Sequence, residues 1–193
     1  MDTWTAQMNY PLVTIERNYG ANPTARISQK RFLLDPDSLD EEIDDNPYNY
    51  VWQIPYTYIS RQTRGRVGVR TLHWLRNETG VVSETVPVDK DWLLADVAGY
   101  AYYRVNYDER NWNLLVEQLK SHHDVFSVLD RYKMIDDAFS LARAGELDTV
   151  LALQLSEYLV DETGLPWHSA LRHLDYLRLM LRRTPTYTFL ETT

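Results

Sequence analysis

Five histidines and 28 carboxylates are the groups in this 193-residue chain that could hold a metal or move a proton. The histidines are His73, His122, His123, His168 and His173. A zinc-hydrolase helix needs two histidines at i,i+4 with an intervening Glu as general base, and no pair here has that spacing. His122-His123-Asp124 puts neighbouring side chains in diverging directions where zinc wants about four convergent ligands, so it reads as a solvated interhelical loop. His168 and His173 are i,i+5, fall on different helix faces and read as surface groups. The acidic stretch opening Asp35-Pro36-Asp37-Ser38 is not a calcium loop, because Leu39 stands where an oxygen ligand is needed and Asp40 where glycine is. No residue is therefore assigned a catalytic or a metal-binding role.

Other patterns suggest binding or modification. Asn77-Glu78-Thr79 is an acceptor triplet for an N-linked glycan, whereas Asn22-Pro23-Thr24 is blocked by its proline. Trp52, Tyr56, Tyr58 and Trp74 have the aromatic content of a sugar-stacking platform, but alternating aromatics in a strand are more often core. Arg64, Arg66 and Arg70 offer surface partners for the acidic stretch, a kind of pairing worth about 0 to 1 kcal/mol.

The formal charge of −8 is concentrated: seven of the acidic residues lie between Asp35 and Asp45 with no basic residue among them. Setting those aside leaves 21 acidic against 20 basic residues, a balance without the basic footprint of a nucleic-acid partner. No apolar run reaches the length of about 18 residues expected of a transmembrane helix. No cysteine reports on a redox compartment. A hydrophobic content of 44% with 14 Tyr and 6 Trp belongs to a folding chain.

The elements that must position these groups change character once. Short strands separated by turn residues are predicted over Pro11 to Tyr19, Ala25 to Leu34, Tyr50 to Ser60, Arg66 to Arg76, Val81 to Val88 and Trp92 to Ala98. They point to an antiparallel β-sandwich over 10–108. Trp52, Ile54, Tyr56 and Tyr58 share one face of the third, where Pro55 implies an edge or bulge. Arg76 to Gly80 reads as a hairpin loop. In Ala101 to Trp112, Tyr103, Val105 and Tyr107 alternate with Tyr102, Arg104 and Asn106. Then Trp112, Leu115, Val116 and Leu119 recur at helical spacing, with Asp108 at the junction as N-cap. Helices are predicted over Glu109 to Lys120, Val128 to Ala144, Thr149 to Asp161 and Pro166 to Arg183. Ser127 and Asp130 fit a capping box, and short links suggest helical hairpins beginning an α-solenoid. The last helix carries a broad apolar stripe of Trp167, Ala170, Leu171, Leu174, Leu177 and Leu181, with few residues after it, which reads as truncation.

Several stretches resemble zinc aminopeptidases of the aminopeptidase N type. Met1 to Thr5 with Gln7-Met8 and Tyr10-Pro11 looks like the end of their thermolysin-like catalytic domain, placing residues 1–9 in its tail. Gln29 to Phe32 resembles the second sandwich strand and Trp52-Gln53-Ile54-Pro55 a later one. Asn106-Tyr107-Asp108 with Asn111-Trp112 is similar to the domain junction, whose structural residues here are Tyr103, Arg104, Asn106, Tyr107, Asp108 and Trp112. Ile135 to Phe139 with Ala142, and Pro166-Trp167 with Ala170-Leu171, resemble helices of the C-terminal domain over 109–193. One departure is Ala101, where the family has glycine before its paired tyrosines; the nearest glycine is Gly99.

The resemblance implies a parent that removes N-terminal residues from peptides with a zinc ion, an activated water, a Glu base and a Tyr that steadies the tetrahedral intermediate. The family's HExxH and GAMEN motifs are absent from this sequence. The chain alone is thus predicted to be inactive, to support the catalytic domain, to help enclose the peptide cavity, and to partner the remainder of an aminopeptidase or a full-length relative. A stand-alone short paralogue acting as a binding or regulatory module is the alternative. Members of the family are surface-anchored or cytosolic, and the acceptor triplet at Asn77 favours an extracellular domain.

Overall fold

A computed structural model describes residues 2–20, 22–35, 46–63, 71–82, 90–185 and 187. The acidic residues after Asp35, and Arg64, Arg66 and Arg70, lie outside these, as do parts of two predicted strands.

A short helix α1 (Asp2–Thr5) precedes β1 (Pro11–Asn18) and β2 (Thr24–Arg31), which pair antiparallel with Ile15 opposite Ile27. β3 (Ile54–Tyr56) pairs with β5 (His73–Leu75), and β4 (Tyr58–Ser60) with β7 (Leu93–Ala95). β6 (Thr79–Val82) joins β2, and β8 (Arg104–Tyr107) joins β1, giving a four-stranded sheet in the order β6-β2-β1-β8. Buried residues of all three sheets, among them Leu12, Ile27, Ile54, Leu75 and Leu93, belong to one hydrophobic core.

Three expectations are corrected here. The strand read as Tyr50 to Ser60 breaks at Thr57, whose carbonyl accepts from Asp96 N at 2.9 Å and whose hydroxyl oxygen accepts from Val97 N at 3.1 Å. The chain therefore changes partner from β5 to β7 there, and Tyr58 leaves the buried face that holds Trp52, Ile54 and Tyr56. The hairpin at Arg76 to Gly80 does not form, because the flanking β5 and β6 pair into different sheets. Nor is every pairing antiparallel: β8 lies parallel to β1, Leu12 opposite Arg104 and Ile15 opposite Tyr107. A parallel partner so far along the chain requires a long crossover, which the intervening strands supply.

Helices follow as the periodicity predicts: α2 (Glu109–His122), α3 (Val128–Arg143), α4 (Thr149–Ser156) running into a 3-10 segment Glu157–Asp161, and α5 (Leu165–Leu181). The capping box at α3 forms, with Asp130 N donating to Ser127 Oγ at 3.2 Å and Ser127 N donating to Asp130 Oδ2 at 3.0 Å. Such a cap is worth about 1 kcal/mol. α3 packs on both α4 and α5, while α2 packs on α4. Trp52, Trp92 and Trp112 are fully buried, and truncating a residue of that size costs about 3–5 kcal/mol. Along α5, Ala170 is buried and Leu174 and Leu177 are partly covered, but Leu171, Leu179 and Met180 face water.

Candidate functional site

The strand-to-helix junction begins at Asp108, which ends β8 and starts α2. Its Oδ1 accepts from Asn111 N at 2.9 Å and from Tyr19 OH at 2.7 Å, and its Oδ2 accepts from Arg17 N at 3.0 Å. One carboxylate thus caps the helix and ties it to β1. Asn111, fully buried one turn later, accepts at Oδ1 from Arg17 NH1 (2.8 Å) and Leu93 N (2.9 Å) and donates to Leu93 O (2.9 Å). It carries the same attachment across to β7.

Asn106 is buried, although strand alternation set it opposite the core residues. The helices cover that second face of β8. Asn106 Oδ1 accepts from Trp112 Nε1 at 2.8 Å and its Nδ2 donates to Glu146 O at 3.2 Å. Tyr107 meets the Trp112 ring edge-on at 5.0 Å, and its hydroxyl oxygen accepts from Ala95 N at 2.9 Å. Burial pushes the Tyr107 and Tyr103 phenols upward, so both stay neutral.

The charged part of the junction joins β8 to α3. Arg104 NH1 lies 2.7 Å from Asp136 Oδ2 and 2.9 Å from Asp137 Oδ1, and Arg104 Nε donates to Tyr10 OH at 3.1 Å. Asp137 Oδ2 also accepts from Val105 N at 3.1 Å and from Lys133 Nζ at 2.9 Å. Lys133 Nζ further donates to Tyr103 O at 2.7 Å and lies 3.3 Å from Asp96 Oδ2. Burial alone would lower the Lys133 and Arg104 values, but the carboxylates overcome it and raise both. Burial raises the Asp96 carboxyl against the pull of Lys133. Asp136 goes the other way: despite its burial, hydrogen bonding from His173 and the charge of Arg104 hold it well below the usual carboxylate range.

Asp136 Oδ1 is 3.0 Å from His173 Nε2 on α5 and also bonds Arg172, and the His173 ring stacks on Phe139 at 5.3 Å. His173 is thus no surface group but part of the α3–α5 contact, while His168 is exposed as expected. His123 Nε2 lies 3.4 Å from Asp124 Oδ1, and its ring packs beside Tyr158. Asp124 is itself solvent-exposed.

The turn before β8 explains the missing glycine. Asp96, Ala98 and Gly99 take positive φ, 53°, 62° and 61°, whereas Ala101 does not. A non-glycine residue in that region costs about 1–2 kcal/mol, and Ala98 is held there by donating its N–H to Asp130 Oδ1 at 2.7 Å. Ala101 N donates instead to Asp96 Oδ1 at 3.1 Å. The positive-φ positions of this bend fall at Asp96, Ala98 and Gly99, so alanine fits at 101. An open cleft of about 340 Å³ lies over this turn, rimmed by Tyr10 and Tyr102 with Arg104, Lys133 and Asp136 at its floor.

The sequence pointed to Tyr103, Arg104, Asn106, Tyr107, Asp108 and Trp112, and the structure brings them together between sheet and helices. It did not reveal Lys133, Asp136 or Asp137 as partners of Tyr103 and Arg104, nor Asp96 and His173 as the groups that hold Lys133 and Asp136 in turn. Only the i,i+4 spacing of Lys133 and Asp137 signalled a pair. Trp52 and Tyr56 are buried, so the aromatics form no sugar platform; Trp74 alone of the four is half exposed. Asn77 stands apart from the junction and is exposed. Among the described residues no three His, Asp or Glu side chains converge as zinc requires, so these residues do not fit that metal.

Residues 92–193 match the ERAP1-like C-terminal domain. The chain is 40% identical over 188 residues to the thyrotropin-releasing hormone-degrading ectoenzyme of Homo sapiens, 37% over 188 residues to aminopeptidase Ey of Gallus gallus, and 36% over 188 residues to aminopeptidase N of Rattus norvegicus. Each comparison covers 97% of this chain and 18% of the relative, so the chain spans under a fifth of the length of these proteins.

Proposed function

Because the chain belongs to the ERAP1-like C-terminal domain family, we propose that it is the non-catalytic, architectural part of a zinc aminopeptidase that removes N-terminal residues from peptides. In this reading residues 1–9 end the catalytic domain, 10–108 form the β-sandwich, and 109–193 open the helical domain that helps enclose the peptide cavity. Zinc and the peptide substrate belong to the catalytic part, which is this chain's partner. The ectoenzyme among the relatives supports an extracellular setting.

The observation that carries the reading is similarity over 97% of the chain to aminopeptidase Ey and aminopeptidase N. The junction adds a physical reason. A segment whose sheet and helices are locked by Arg104, Lys133 and three aspartates transmits position rather than performing chemistry. The test has two arms. The chain alone, given zinc and aminoacyl fluorogenic substrates, is expected to show no turnover, while a chimaera carrying it in place of the matching part of aminopeptidase N is expected to cleave. Turnover by the chain alone that is lost on chelation would overturn the proposal.

A further inference from the structure

We propose that Asn77 carries an N-linked oligosaccharide, transferred from a polyprenyl-diphosphate-linked donor. Asn77 Nδ2 bonds to the anomeric carbon of the first sugar, the bond from that carbon to the diphosphate oxygen breaks, and the amide proton passes to the departing diphosphate. The acceptor triplet Asn77-Glu78-Thr79 supplies the residue types, and the structure supplies the presentation. All three residues are exposed.

The backbone of the triplet is held from behind by Gln29. Gln29 Nε2 donates to Asn77 O at 2.9 Å and Gln29 N donates to Glu78 O at 2.9 Å. Gln29 is itself buried and fixed to the core, its Oε1 accepting from Trp52 N at 2.8 Å and its Nε2 donating to Trp52 O at 2.9 Å. With the carbonyls turned inward, the Asn77 amide and Thr79 hydroxyl are left unengaged by any described residue.

The position also suits a bulky polar group. Thr79 opens β6, the outer strand of the four-stranded sheet, at the edge opposite β8 and its helices. Leu72, Trp74 and Val81, 41%, 50% and 66% exposed, flank the triplet, and a strand edge without a partner among the described residues, beside apolar side chains, invites pairing with another chain. A sugar at Asn77 covers both. The other Asn-x-Thr triplet is closed by Pro23, so a single glycan is expected.

This goes beyond the architectural reading and is separable from it, since occupancy is read by mass and architecture by turnover. The chain is secreted from cultured eukaryotic cells behind a cleavable leader, and its intact mass is compared before and after peptide-N-glycosidase. One glycan is expected, released with conversion of the freed asparagine to aspartate. It should be lost in Asn77→Gln and Thr79→Ala and kept in Thr79→Ser. Translation in the presence of endoplasmic-reticulum microsomes reads the same mobility shift without requiring a secreted, folded product. No shift with microsomes, bare Asn77 in the secreted chain, or a glycan surviving Asn77→Gln would overturn the inference.

Discussion

Replacing Asp137 by alanine is the sharpest test of the junction. Its carboxylate is 5% exposed and accepts from Arg104 NH1 at 2.9 Å, Lys133 Nζ at 2.9 Å and Val105 N at 3.1 Å. Without it, Arg104 retains Asp136 and Lys133 retains Tyr103 O and Asp96, but the Val105 N–H loses its side-chain partner. Breaking a buried ion pair by removing one partner costs about 3–5 kcal/mol, and the surviving contacts put this case near 3 kcal/mol. A chain of this size loses about 2–4 °C of unfolding midpoint per kcal/mol, so a fall of roughly 6–12 °C is expected. Thermal and urea unfolding at neutral pH, followed by tryptophan fluorescence and far-ultraviolet circular dichroism, would measure it. A double-mutant cycle with Lys133→Met isolates the electrostatic part: the double variant should lose less than the two single losses together, because the Lys133–Asp137 pair is then removed once rather than counted in both single losses. A fall below about 2 °C, or strict additivity, would refute the reasoning.

Two further outcomes follow from the same geometry. Asp136 has a folded carboxyl value below its unfolded one, so its stabilisation is present above about pH 4 and fades as pH falls through the folded value. Asp136→Asn should therefore be less stable than the parent at neutral pH and converge with it in acid; a constant difference across that range would contradict the assignment. Asn111→Ala removes the side-chain partner of Leu93 N and of Leu93 O, buried polar groups that each cost about 1–3 kcal/mol to leave unpaired, while the Arg17 guanidinium keeps Asp91 O at 2.7 Å. Its urea midpoint should fall at least as far as that of Asp137→Ala, and hydrogen exchange should rise first in β7 and the start of α2.

What the sequence disclosed, and what it hid, divides by distance along the chain. Asp108 and the Ser127–Asp130 box were legible because a cap acts on amides within three residues. The change from period two to helical spacing between Tyr107 and Trp112 was legible for the same local reason. The burial of Asn106 was not, because it depends on helices lying over the outer face of β8. Thr57 interrupts an alternation that looks continuous from Tyr50 to Ser60, and the interruption is imposed by Asp96 and Val97 tens of residues later. Likewise His173 has the spacing of a surface residue until α5 is laid against Asp136 and Phe139.

The parallel register of Leu12 with Arg104 has a consequence for biosynthesis. At about 5–20 residues per second, a ribosome completes β1 roughly 5 to 20 seconds before β8 has been made. During that interval one side of an apolar strand waits without its neighbour. Closing so long a loop is also entropically slow, which puts this pairing among the last steps of maturation. Nascent chains stalled before Arg104 should consequently engage chaperones through β1, and release them once the helices emerge.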